Sequence, residues 1–187
     1  MAATWLLLSA LWIAAVIVGT GDVRDGIASH LVDSPRYLAE CLAAAVAIAL
    51  AAIHGLRLSI PALGRPARAA VVTAAAILGW AAMVALGALA PTSSGASFMR
   101  PLCHVQAVLL SLPVLIAGVW LVRRRAPTRR VIAGALCGVV AGGLAALSMQ
   151  LVCMPFDIHH SLVHHFAPGL GVVGLGALAG GALIRRI

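Results

Sequence analysis

The chain has 187 residues, 63% of them hydrophobic and only 10% charged, with a mean hydropathy of +1.08. So little polar surface cannot cover a water-soluble domain, so the composition is that of a membrane protein. The formal net charge of +8 does not mark a direct nucleic-acid binder. Its arginines flank apolar stretches, with no aromatic platform or groove-reading helix beside them.

Crossing the hydrocarbon takes about 20 mostly apolar residues, and six stretches qualify: 3–19, 36–56, 69–90, 103–122, 131–151 and 163–184. The first has no Arg or Lys before Arg24. Without a basic n-region or a clear cleavage site, it is expected to be an uncleaved span and not a signal peptide. An acidic connection (20–35) with Asp22, Asp25 and Asp33 follows. Glu40 and Cys41 lie about one turn inside the second stretch, where Glu40 is expected to pair with Arg36 one turn earlier. His54, near Arg57 at the other end, is expected to be an interface residue and not a haem ligand, since no partnered histidine sits at matching depth.

The next turn holds Arg57, Pro61, Gly64, Arg65, Pro66 and Arg68, and the third stretch leads to a Ser/Gly/Pro connection (91–102) with Arg100. Cys103 and His104 open the fourth stretch; Arg123, Arg124, Arg125, Pro127, Arg129 and Arg130 follow it. Cys137, in the fifth, reads as a small buried hydrophobe. Gly134, Gly138 and Gly142 on the fifth and Gly176 and Gly180 on the sixth recur at four-residue spacing, which lets helix backbones approach closely. Packing inside the bundle is expected; a homodimer seam is the alternative.

Charge fixes an expected topology. All five acidic residues, with Arg24, Arg36 and Arg100, lie around the first, third and fifth connections, whereas the other ten arginines lie in the alternate loops and at the chain end. Short Arg-rich loops stay cytoplasmic, where they also meet anionic lipid. The expectation is an all-α polytopic membrane helix bundle, one domain over residues 1–187. Its six transmembrane helices form three antiparallel hairpins with both termini cytoplasmic.

The soft-ligand residues crowd the opposite, outer face. Cys103 and His104 start one helix, while Cys153, Met154, Asp157, His159, His160, His164 and His165 surround the last outer connection. His160 and His164, four apart, would project from one side of a helix as metal-binding pairs do. Thiolate with imidazole suits Zn(II), Cu(I) or other soft ions. A metal or redox sensor, a polar helix end wetted by headgroups, and a plain disulfide all fit this spacing, and a closed site needs Cys103 to approach Cys153. Nothing looks catalytic: there is no nucleophile-and-base set, no HExxH and no phosphate loop. A small metal or solute transporter is the rival function, although the spans lack the midplane charges that transporters use. A structural subunit of a larger membrane complex is a third reading.

Several segments in order carry a family resemblance. They are Ser34-Pro35-Arg36-Tyr37, the turn Ile60-Pro61 to Gly64-Arg65-Pro66, Cys103 followed by Leu110-Ser111-Leu112-Pro113, and Arg123-Arg124-Arg125-Ala126-Pro127. Ala133-Gly134-Ala135 and Cys153 with Pro155, Asp157, His160 and His165 complete the set. Together they resemble the NrsF-type family of six-span bacterial inner-membrane anti-sigma factors, negative regulators of extracytoplasmic-function sigma factors. The resemblance implies a sigma factor held at the cytoplasmic face and released by an outer signal through two periplasm-facing cysteines, which map to Cys103 and Cys153. His160 and His165 are the imidazoles expected to complete a shell around a soft transition-metal ion. No counterpart of the family's cytoplasmic N-terminal segment is expected before the first span, and the resemblance names no sigma-binding residues here.

Overall fold

Proline and arginine punctuate the chain into helices, the first five of which match the apolar stretches to within two residues. The computed structural model describes residues 2–19, 33–60, 67–88, 103–125, 127, 129–152 and 161–183. Its helices are α1 (Ala2–Gly19), α2 (Pro35–Leu58), α3 (Ala67–Ala88), α4 (Cys103–Arg123), α5 (Arg130–Val152) and α6 (Ala167–Leu183). A π-helical turn, Ser161–Phe166, leads into α6. Among the described residues, six helices are long and apolar enough to cross a membrane, the last counted over Leu162–Leu183. Among the described residues there is no strand.

Local chemistry accounts for the helix ends. Pro35 occupies the first turn of α2, where its missing N–H costs nothing. At the other end Ser59 donates its hydroxyl to the Leu56 carbonyl at 2.6 Å, and the Ile60 amide donates to the Arg57 carbonyl at 3.0 Å. Buried serines within spans close back on their own helix in the same way: Ser111 donates to the Val108 carbonyl and Ser148 to the Leu144 carbonyl. A hydroxyl in hydrocarbon is thereby satisfied without a partner helix.

Packing places α5 at the centre, against α6, α4 and α2, with α1 more loosely attached. The glycine rows explain the α5–α6 contact. A Cβ on Gly138 would fall 2.6 Å from the Val173 Cα, and one on Gly142 2.8 Å from the Gly169 carbonyl oxygen. Gly134 meets Gly176 and Gly180 in the same way, so the residue order runs antiparallel. Lipid is as apolar as leucine, so close backbone contact and dispersion hold this seam, not hydrophobic burial. The expected internal packing is therefore what these glycines do. Gly143, on another side of α5, receives Ile48 of α2, and Gly55 of α2 receives Leu136, so α2 also runs antiparallel to α5.

Candidate functional site

Three helix ends meet where the sequence gathers its cysteines and histidines. The π-helical turn before α6 packs against α4 and α5, with a smaller contact to α3. Its origin lies in Pro168, which has no N–H for the His164 carbonyl and whose ring would clash there in an α-helical turn. Widening the preceding turn relieves that conflict, and such turns recur at functional sites. The widened turn carries His164 to His104 of α4, with ring centroids 5.7 Å apart. It also sets Phe166 against Trp80 of α3 at 4.9 Å.

Cys103, the first residue of α4, is 1% exposed, and His165 in the π-helical turn is 2% exposed. The structure therefore brings the Cys103–His104 pair and the His164–His165 pair to one end of the bundle. Cys153 and His160 lie outside the described residues, as do Met154, Asp157 and His159. Among the described residues no three His, Cys, Asp or Glu side chains gather closely enough to hold a metal ion. The expected shell of Cys103, Cys153, His160 and His165 has two members within the described part.

The same end carries the polar start of α2. Arg36 donates to Glu40 at 3.1 Å, the pairing expected from their spacing, with Glu40 mostly buried. Tyr37 donates its hydroxyl to the Gln150 carbonyl at 2.5 Å, tying α2 to the end of α5. The Gln150 side-chain oxygen is buried there without a hydrogen-bond partner among the described residues. Cys41 is a half-buried free thiol one helical turn from Tyr37.

The opposite end adds a contact that the spacing did not show. His54 is buried, and its Nδ1 lies 3.1 Å from the Thr73 hydroxyl of α3. Burying an imidazole in a span requires such a partner, and α3 supplies it at matching depth. Cys137 is a buried free thiol beside Gly118, as expected of a small hydrophobe. Sequence reading missed the pairing of His104 with His164. Its available signal was the position of His104 beside Cys103 at a helix start.

Comparison with known proteins adds an independent line. The family described as negative regulator of sigma F matches residues 1–185. A relative named anti-sigma-F factor NrsF, from Caulobacter vibrioides (strain NA1000 / CB15N), is 34% identical over 80 residues. That stretch is 43% of this chain and 36% of the relative, so the match spans little more than a third of the relative's length. No solved structure matches the chain.

Proposed function

The chain belongs to the family of negative regulators of sigma F, and from that premise we propose that it is an inner-membrane anti-sigma factor. It holds an extracytoplasmic-function sigma factor at the cytoplasmic face, the side of its Arg-rich loops and both termini. It releases that factor when Cys103 and Cys153 meet a soft metal ion or an oxidant at the outer face. The meeting of the α4 start with the His-bearing turn before α6 is the observation that carries this reading. It brings Cys103 to the same end of the bundle as the segment that continues from Cys153.

A soft ion would bind the two thiolates, with His160 and His165 as neutral imidazole ligands. An oxidant would instead take two electrons and two protons from the thiols and leave a disulfide. Either event ties the start of α4 to the α5–α6 connection. Such a tie acts only by favouring one helix arrangement over another. A coupling of about 1–3 kcal/mol suffices for the 5- to 150-fold change in affinity typical of linked sites. Closely packed α5 and α6 are suited to carry it across the bilayer.

Two experiments test this. Deleting the chain should raise transcription of a sigma regulon constitutively; unchanged transcription with altered cell metal content would instead mark a transporter. Reporter fusions at Ala126 should read cytoplasm and those at Ser94 periplasm. The opposite pattern would put the cysteines on the wrong face.

A further inference from the structure

A second candidate site lies between α1 and α4. Trp5 of α1 sinks against α4 because residue 118 is glycine; a Cβ there would overlap the Trp5 ring. Between the two helices runs a groove of about 440 Å³, walled by Trp5, Leu8 and Trp12 on one side and Pro113, Ala117 and Trp120 on the other. Its α4 wall runs from Pro113 to Leu121, about 12 Å of helix at roughly 1.5 Å per residue. Trp12 is 44% and Trp120 50% exposed. Both belong to membrane-spanning helices, so the groove opens on the acyl chains of the bilayer and not on water.

The end of the groove is cationic. Two residues beyond Leu121 begin Arg123, Arg124 and Arg125, and the Arg124 guanidinium sits 3.6 Å from the centroid of the Trp120 ring. Stacking on the indole face holds the charge over the groove's end by cation–π attraction, and Arg123 and Arg124 are both exposed. A long apolar slot facing lipid and ending in fixed arginines matches one chemistry, an acyl chain with an anionic headgroup. We propose that this groove is a specific binding site for an anionic phospholipid. Its acyl chain lies against Trp5, Trp12 and Trp120, and its phosphate pairs with Arg124. The site would seat α1, otherwise loosely packed, and it does not depend on the sigma-factor reading.

The test uses the four tryptophans. In a Trp80→Phe background the other three all line the groove. The chain is reconstituted in phosphatidylcholine containing a small fraction of brominated lipid, which quenches indole fluorescence on contact. Brominated phosphatidylglycerol should quench as if enriched about fivefold over brominated phosphatidylcholine, the preference expected of one arginine near a headgroup. Arg124→Gln should abolish that preference, while Arg57→Gln, on α2, should leave it. Ala117→Phe, which narrows the groove without touching an arginine, should lower phosphatidylglycerol quenching to the phosphatidylcholine level. Equal quenching by the two lipids in the unsubstituted groove overturns the proposal. So does a preference that survives Arg124→Gln or Ala117→Phe.

Discussion

The most apolar 18-residue stretches of α5 and α1 have the same mean hydropathy, yet 61% of that stretch is buried inside the molecule in α5 against 17% in α1. Side-chain size makes the difference. α5 buries Gly134, Gly138, Gly142, Gly143, Ala141, Ala145 and Ala146, whereas α1 turns Leu7, Leu8, Leu11 and Trp12 outward and buries Trp5, Ser9 and Ile13. In water a bulky apolar residue gains by going inside; in a bilayer it gains nothing, because lipid solvates it equally well. The centre then goes to the helix whose neighbours can come closest. α5 meets α6 backbone to backbone, while α1 sets the Trp5 indole over Gly118 of α4 and makes few other contacts.

That contrast can be broken most forcefully at Gly138. Replacing it with Leu should destabilise the bundle by about 3 kcal/mol, the upper part of the overpacking range, because Val173 backbone cannot yield as a side-chain tip can. The same change at Gly171 of α6, with nothing within 4 Å, should stay within about 0.5 kcal/mol. Reversible unfolding in mixed micelles measures both. Similar losses at the two positions would show that glycine content, and not the seam, sets stability.

Gly118→Leu sharpens the other side of the comparison. It should displace Trp5 at about 1–3 kcal/mol and free α1 while α2 to α6 stay assembled. Limited proteolysis and tryptophan emission report the release. Global unfolding at the same denaturant concentration would mean that α1 is as integral as α5.

Smaller effects belong to the polar ties of α2. Tyr37→Phe removes the bond to the Gln150 carbonyl and should cost about 0.6–1 kcal/mol, the range for single hydrogen bonds in spans. Glu40→Gln breaks a pair whose arginine side chain is 51% exposed, and should cost about 0.5 kcal/mol or less. If Glu40→Gln were the costlier of the two, the pairing with Arg36 would not be all that Glu40 does.

The limits of the six spans were legible because hydropathy, Pro35 and the arginines act locally. Even the glycine seam left a trace in the four-residue spacing of Gly134, Gly138 and Gly142. His54 shows what local signals miss. Its partner Thr73 is 19 residues away on another helix, and only the relative depth of α2 and α3 brings them together. The widened turn before α6 follows from Pro168, but which histidine it delivers to His104 depends on how far the backbone opens. Sequence gathered Cys103, His104, His164 and His165 at one end by topology. Their burial and mutual contact come from three helices converging, which no single stretch encodes.

The most direct test of the proposed sensor is induction of the sigma regulon by a soft metal ion or an oxidant in cysteine variants. Cys103→Ser and Cys153→Ser keep side-chain size but remove the thiolate that soft metals and oxidants require. Each should abolish induction while leaving uninduced repression intact. Cys137→Ser, buried toward the Arg130 end of α5 beside Gly118, should induce as the unsubstituted chain does. Loss of induction in Cys137→Ser, with Cys103→Ser and Cys153→Ser still responsive, would contradict the account.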